Sequence, residues 1–575
     1  MKIALGLFHF NVNEVAGEPS ACHRYCTQVV LPFLGTIASR KEFRATFEMA
    51  GNGLEFLAEH YPSSIDTLRD LIARNQIELI SSTYAPTAWV AFPRRDLVQS
   101  IQLNTRVLTS LGLTAAPIFF GQEGLFGPGV ESLDNWFDIA VCKDDTLRTL
   151  NDATISSPVY RLGKVTVVIG ANHLLHEMAS VVVNASRQGA APTCSSFYEA
   201  HLQEAVTSSL QSAPEYIEGT VDGVQWHWYH CGSAHPFTTT GVPQNWEGFF
   251  CDPEWMTMTS GVLERLLDEG YQLGFIGEFA RNVASERTPP LPRMIECSWN
   301  PKRSRGVYAW MGLHEHRWDA GAALLTLAWR ARKKLIETER LLSSLDPEGR
   351  CELSSRIDEI WRHQILSESS DPLGLSPLLC EVNFGREQGD RVLEMCATLM
   401  SRMPLGLGYS GRNESSNGTH PDPQLAPADA PIQTELIGAE GQITWRKLSE
   451  AEYVCEARFR AEEHTCGVRF QRHSNAITYC PSGAEHQWVV IDEAELPQGE
   501  YYLPLTNGLI SLNSDLHLVR DNCSVGTAAR ISTQDDWVRF ALEGVAEGRL
   551  YEWRFRVIRG SVDEAVHVAN RINCV

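Results

Sequence analysis

The chain has 575 residues, and 49 lysines and arginines against 71 aspartates and glutamates give it a net charge of −22 at pH 7. Hydrophobic residues make up 43% and charged residues 21% of the sequence, values typical of a folded globular protein, and the length predicts about two to four domains. An acidic surface repels phosphate backbones and anionic lipid, which excludes nucleic acid and membranes as main partners.

The chain begins with MKIALGLFHFNVNE, where polar residues arrive by Asn11, too early for a signal peptide. This stretch predicts a buried first strand. No apolar run approaches the length of about 18 residues that a membrane helix requires. The 15 cysteines are scattered without a CxxC pair, which indicates reduced core residues and a cytoplasmic protein.

The first 225 or so residues repeat a short apolar run, a polar turn and a helical pattern. This alternation predicts an α/β fold with a parallel sheet, and seven units favour a closed (β/α)7-type barrel over residues 1–318. The apolar runs are Ile3–Phe10, Phe43–Met49, Ile77–Ser82, Pro117–Gly121, Ile139–Lys143, Val165–Gly170 and Tyr216–Val221. Residues 159–170 could equally form a local hairpin.

The character of the sequence changes after the predicted barrel. Residues 319–403 show three helical patterns and predict a helical domain, in which the basic run Arg330–Lys334 is expected to be a solvated face. Residues 404–433 are rich in Gly, Pro, Ser and Asn and predict a linker. Residues 434–575 alternate polar and apolar side chains, which predicts an antiparallel β-sandwich.

Two carboxylates follow apolar runs directly and stand beside a glycine: Glu123 and Asp222. The carboxyl ends of barrel strands carry catalytic groups, and a carboxylate pair across a cleft is the equipment of glycoside hydrolysis. The alternative is that each carboxylate merely caps the helix that follows it.

Asp222 opens a segment rich in tryptophan and histidine, VDGVQWHWYHCGSAHPF. The flat C–H faces of sugar rings pack on aromatic rings, while imidazoles bond to hydroxyls, so the segment favours a carbohydrate site over a tryptophan-rich core loop. No HExxH or CxxC spacing occurs, and therefore no metal or other cofactor is predicted.

An ordered series of motifs resembles glycoside hydrolase family 57. The motifs are FHFN at 8–11, NQIELISSTYAPTAWVAFPRRDLVQSI at 75–101, APIFFGQEGLF at 116–126, TVDGVQW at 220–226 and IECSWNPKRSRGVYAWMGLHEHRWD at 295–319. The resemblance covers residues 1 to about 400. It implies a seven-stranded barrel, a helical domain and a retaining enzyme that acts on α-glucans by hydrolysis, transfer or branching.

The resemblance also implies residue roles. Glu123 matches the nucleophile and Asp222 the general acid/base. The expected substrate contacts are His9, Asn11, Glu78, Trp226, His227, Trp299 and Trp310. For Glu78 a structural ion pair is nearly as well favoured.

Three departures from the family pattern predict a changed subsite and a substrate other than plain starch. Asn11 replaces a histidine, Phe119–Gly121 lacks the usual tryptophan, and Val224 replaces a glutamate.

Two other readings stay open. A zinc-dependent α-mannosidase of glycoside hydrolase family 38 shares the layout, but it would carry a metal-binding Asp where this chain has Asn11. A non-catalytic carbohydrate-binding protein with a decayed site is the second alternative. It is favoured by Val224 and disfavoured by the two retained carboxylates.

Overall fold

The computed structural model describes residues 2–10, 12, 22–23, 25–121, 124–127, 129–143, 157–170, 219–221, 224–233, 254–268, 270–285, 287–291, 318–343, 347–373, 379–402, 424–425, 430–463, 465–471, 476–479, 489–492, 509–521, 530–534, 537–543, 548 and 550–573. All structural statements concern these residues.

The chain divides into two compact units. The first unit comprises Met1–Thr87, Val98–Pro301 and Leu378–Asn383, and the second comprises Ala88–Leu97, Lys302–Pro377 and Phe384–Val575.

The first unit alternates strands and helices, as the sequence predicts for an α/β fold. Its strands are β1 (Lys2–Phe10), β2 (Ala45–Met49), β3 (Ile77–Ile80), β4 (Ile118–Phe119), β5 (Ile139–Lys143), β6 (Val159–Leu162), β7 (Val165–Gly170), β8 (Gly219–Val221), β9 (Val224–Ser233) and β10 (Tyr271–Gly274). Its helices are α1 (Leu31–Ser39), preceded by a π-helical stretch at Cys26–Val30, α2 (Gly51–His60), α3 (Pro62–Ala73), α4 (Arg94–Leu111), whose first turn belongs to the second unit, α5 (Glu254–Asp268) and α6 (Ile276–Val283).

These strands form two sheets. One has the order β3-β2-β1-β9-β8, with β10 also paired to β1, and the other has the order β4-β5-β7-β6. All pairs are parallel except β6–β7 and β8–β9. The possible hairpin at 159–170 is therefore real, and its second strand also joins the parallel sheet.

One hydrophobic core spans both sheets. Each strand contributes apolar side chains from alternate positions, which lie on one face of its sheet. Its members are Leu5, Leu7, Ile80, Ile118, Phe120, Ile139, Val141, Val159, Val168, Ile276, Phe279 and Ala280. The core therefore lies on the face of β1 that carries the odd-numbered residues, and His9 belongs to that series.

The prediction that the strand ending at Val221 runs with the other barrel strands is wrong. β8 is antiparallel to β9, and Val221 pairs with Val224 at the start of β9. It is β9 that lies parallel to β1, with Gln225 beside Lys2 and Ser233 beside His9. The carboxyl end of β8 therefore lies at the amino end of β1. Because β9 contains histidines and other polar residues, the sequence does not indicate this ten-residue strand.

The second unit begins with three long helices, α7 (Trp318–Ser343), α8 (Pro347–Ser367) and α9 (Leu379–Ser401), whose first residues belong to the first unit. On α7, the apolar residues Leu324, Ala328 and Leu335 are buried.

The predicted solvated face at Arg330–Lys334 is wrong for Arg332, whose side chain is fully buried. Its Nε donates to Asp96 Oδ2 at 2.6 Å. Arg332 lies one residue from Ala331 on a helix that is buried on more than one side, so helical spacing alone could not identify it as buried.

The remaining strands of the second unit are antiparallel, as the period of two predicts. They are β11 (Gln424–Leu425), β12 (Thr434–Ile437), β13 (Ala439–Lys447), β14 (Glu452–Ala461), β15 (Thr465–Gln471), β16 (Ala476–Tyr479), β17 (Val489–Asp492), β18 (Leu509–Ser511), β19 (Leu516–Arg520), β20 (Arg530–Gln534), β21 (Trp537–Glu543) and β22 (Leu550–Arg559). They form the sheets β11-β13-β14-β22-β19-β18, β12-β15-β21-β20 and β16-β17, and α10 (Val562–Asn573) packs on the first of these.

A buried histidine on β19 gives these strands a pH dependence. His517 Nε2–H donates to the Gly560 carbonyl and Nδ1 accepts from the Ser511 hydroxyl, each at 3.0 Å. Burial lowers the pKa of His517, while the Gly560 carbonyl and Asp515 oppose this effect. As the pH falls, the unfolded chain binds the proton first, so stability present above about pH 6.5 is lost below it.

We therefore expect His517→Gln to reduce the difference in free energy of unfolding between pH 7.5 and pH 5.5, measured by urea denaturation. His567→Gln, at an exposed histidine of α10, is the matched control and should keep the wild-type difference. Equal pH dependence in wild type and His517→Gln would contradict this assignment.

Candidate active site

The carboxyl ends of β1 and β2 bring a histidine and a carboxylate together. The two strands are parallel, and His9 stands in register with Glu48. His9 Nδ1 donates to Glu48 Oε2, and the side chains are only 4% and 2% exposed. Because a carboxylate accepts hydrogen bonds, the proton of the neutral imidazole lies on Nδ1 and Nε2 is the accepting nitrogen.

The same edge includes the residues that lead to Glu123. The ring of Phe120 lies 5.7 Å from the ring of His9. Ser82 holds this segment: its hydroxyl donates to the Ile118 carbonyl at 3.1 Å, and Phe120 N donates back to Ser82 Oγ at 2.9 Å. Phe120, three residues before Glu123, therefore lies on the edge where His9 and Glu48 meet.

A glycine, Gly124, follows Glu123 in the sequence. Gly124 has φ = 64°, in the left-handed region that side chains with a Cβ rarely adopt. The glycine that follows the candidate nucleophile in the sequence therefore has a conformation that favours glycine. Glu123 and Gln122 themselves lie outside the described residues.

Glu78 lies on the same face of β3, one step toward the amino end of the sheet. Its Oε2 accepts from Thr46 Oγ1 at 3.0 Å, and Gly277 N at the start of α6 donates to Oε1 at 3.1 Å and to Oε2 at 3.2 Å. Burial raises the pKa of Glu78, while these hydrogen bonds and the nearby Arg281 oppose the effect. These contacts fit the structural role left open for Glu78, and its substrate contact stays a prediction.

We expect Gly277→Ala to destabilise the first unit, because a Cβ at this position would lie 2.5 Å from Glu78 Oε1. The buried carboxylate must then move and weaken its bonds to α6, at a cost of about 1–3 kcal/mol. Gly35→Ala is the matched control: nothing lies within 4 Å of its Cβ, and alanine in α1 should be neutral or stabilising by up to about 1 kcal/mol. Thermal denaturation measures both, and equal melting temperatures for the two variants would contradict the role of Glu78.

Trp226 and His227 are not at the edge that carries His9. Their backbones on β9 stand in register with Ile3 and Ala4, whereas Ser233 stands beside His9. At a rise of about 3.3 Å per residue, the seven residues from Trp226 to Ser233 correspond to about 23 Å along the strand. The sugar contacts of Trp226 and His227 stay predictions.

The other predicted site residues, Asn11, Asp222, Trp299 and Trp310, lie outside the described residues. The sequence patterns single out neither Glu48 as the partner of His9 nor Ser82. The pairing of Glu48 with His9 follows from parallel register, which a single sequence does not reveal. In the described part of the chain, no three His, Cys, Asp or Glu side chains converge to hold a metal ion. Among the same residues, no helix is both long and apolar enough to cross a bilayer.

No protein-family model matches the chain. Two curated proteins resemble a 92-residue stretch: an alpha-amylase from Pyrococcus furiosus at 26% identity and an alpha-amylase from Pyrococcus horikoshii at 30% identity. Each match covers 16% of this chain and 14% of the relative, so the similarity spans a small part of either protein.

Solved structures resemble the chain over a much greater length. An alpha-mannosidase from Enterococcus faecalis V583 aligns over 99% of this chain and 88% of its own, with a TM-score of 0.62 and 8% identity. This likeness shows a shared fold. A GH57-type branching enzyme from Pyrococcus horikoshii aligns over 68% of this chain and 88% of its own, with a TM-score of 0.48 and 12% identity.

Proposed function

We propose that the protein is a retaining glycoside hydrolase or transglycosylase that acts on a neutral, α-linked oligo- or polysaccharide, with Glu123 as nucleophile. The observation that carries this proposal is the buried His9–Glu48 pair at the carboxyl edge of the parallel sheet, in contact with Phe120. Phe120 stands three residues before Glu123. Similarity to two alpha-amylases supports the α-linked substrate, and the net charge of −22 favours a neutral one.

The proposed reaction has two steps. A Glu123 carboxylate oxygen attacks the anomeric carbon, the bond to the leaving oxygen breaks, and a general acid gives that oxygen a proton. Water or an acceptor sugar then attacks the glycosyl-enzyme and gives its proton to the same group, now a base. Two inversions at the anomeric carbon yield net retention.

The general acid/base proposed from the sequence is Asp222. Asp222 lies outside the described residues, and its role stays a proposal. Two carboxyls of a retaining pair stand about 5–5.5 Å apart. If Asp222→Asn keeps its turnover, the acid/base must come from another residue.

His9 is proposed to accept a hydrogen bond from a sugar hydroxyl, with Asn11, Trp299 and Trp310 as further contacts implied by the family resemblance. For the architecture we propose the closed barrel over 1–318, the helical domain over 319–403, the linker over 404–433 and the β-sandwich over 434–575. The sandwich is supported by contacts between two sheets: the Phe555 ring lies 4.9 Å from Phe470 and 5.0 Å from Phe540.

A substrate screen of the purified full chain tests the proposal. The panel holds malto-oligosaccharides, α- and β-linked nitrophenyl glucosides and mannosides, and the protein's metal content is measured in parallel. We expect turnover of α-glucosidic substrates in the presence of EDTA. Metal-dependent turnover of α-mannosides alone would replace the proposal with the mannosidase reading, and sugar binding without turnover on any substrate would replace it with the binding-protein reading.

A further inference from the structure

We propose that Glu48 is a positioning residue for sugar binding, because its carboxylate holds His9 in the Nδ1–H tautomer at the carboxyl edge of the sheet. The inference rests on the proposed function, in which His9 contacts the substrate. It assigns to a buried residue of β2 an effect on substrate affinity without contact with the substrate.

The burial and the strand register of the His9–Glu48 pair indicate that it has a role beyond packing. Burying a carboxylate is costly unless a donor compensates it, and β2 is otherwise a fully buried strand of the sheet. Glu48 stands in register with both His9 and Ile80, so its side chain shares the face that carries the core. An apolar side chain would pack on that face without this cost.

The neighbouring buried carboxylate on this face serves a different purpose. Glu78 accepts from Gly277 N and Thr46 Oγ1 and so fastens α6 to the sheet. Glu48 instead binds the imidazole at the strand end, next to Phe120 and the approach to Glu123. Glu78 thus holds a helix in place, whereas Glu48 orients a candidate ligand-binding group.

The consequence for His9 is a fixed ring and a fixed tautomer. Neutral histidine can carry its proton on either nitrogen, and the hydrogen bond made by one nitrogen decides the role of the other. With Nδ1–H bound to Glu48, Nε2 of the neutral ring is an acceptor, which suits the hydroxyl of a sugar as donor. Without Glu48, the ring could turn or carry its proton on Nε2, and the acceptor would be lost.

The test compares Glu48→Gln, which keeps an acceptor oxygen, with Glu48→Leu, which keeps the volume but removes the acceptor. We expect Glu48→Leu to raise KM about tenfold with a much smaller change in kcat, and Glu48→Gln to restore most of the affinity. Long-range 1H–15N spectra, with His9 assigned through His9→Asn, should show the Nδ1–H tautomer in wild type and Glu48→Gln and its loss in Glu48→Leu. Glu278→Gln removes the carboxylate that pairs with Arg44 and is the matched control, with unchanged KM.

An active wild-type enzyme whose Glu48→Leu variant keeps its KM and the Nδ1–H tautomer would overturn the inference. So would a variant that only melts earlier, with unchanged kinetics. A wild-type chain that is inactive on the whole substrate panel would instead overturn the proposed function, and the substrate role of His9 with it.

Discussion

Glu123→Gln is expected to lower turnover of an α-glucan by a factor of about 10³ or more, with little change in melting temperature. An amide cannot attack the anomeric carbon as a carboxylate does, so the first covalent step is lost, and removal of a nucleophile alone costs an enzyme most of its rate enhancement. The measurement is initial-rate kinetics with a malto-oligosaccharide, together with circular dichroism to confirm folding.

A second variant separates loss of the nucleophile from general disruption of the site. Glu123→Ala leaves space for a small anion, so added azide or formate should restore turnover of an activated glycoside and invert the product. Glu55→Gln, at a carboxylate of α2 that accepts from the Tyr84 hydroxyl at 2.9 Å, serves as the matched control and should keep its rate. Turnover in Glu123→Gln equal to that of wild type would remove Glu123 from the mechanism.

Arg332→Met should lower the free energy of unfolding of the second unit by about 3–5 kcal/mol. Arg332 and Asp96 are both fully buried, and their ion pair is 2.6 Å long. Glu368 joins them: burial, with a contribution from the neighbouring Asp96, raises the pKa of Glu368 well above its usual value. Removal of the guanidinium leaves the Asp96 charge buried without this cation, which is the costly half of a broken buried pair.

The double variant Asp96→Leu/Arg332→Met tests the cause. Because it removes both charges and keeps apolar volume, it should recover much of the stability lost in Arg332→Met. Arg356→Met is the matched control on α8, where an exposed pair with Glu359 at 3.1 Å should contribute no more than about 1 kcal/mol. Urea denaturation measures all three. A loss in Arg332→Met as small as that in Arg356→Met would contradict the importance of the buried pair.

Sequence patterns predict an element well where a single property, such as hydrophobicity, identifies it. The apolar runs of β1, β2, β3 and β5 stand out because buried parallel strands are almost continuously hydrophobic, and the long helices follow from their spacing. His9 could be placed at a strand end for the same reason. Its partner Glu48 depends on the register between two strands, which no single-sequence pattern encodes.

The direction of β8 is the feature of the fold that the sequence predicts least well. The run Tyr216–Val221, which ends in β8, has the composition of a barrel strand, while β9 contains His227, His230 and several polar residues. Hydrophobicity alone therefore favours the wrong segment as the parallel strand. Arg332 shows the same limit, since a charged side chain is read as solvated unless its buried partner, 236 positions away in the sequence, is known.

The stereochemistry of the first product tests retaining chemistry on an α-glucan most directly. Proton NMR of a malto-oligosaccharide reaction, recorded before mutarotation, distinguishes the two anomers of the new reducing end. We predict that the α anomer appears first, in wild type and not in Glu123→Gln. The β anomer appearing first would show a single displacement and contradict the role of Glu123 as nucleophile.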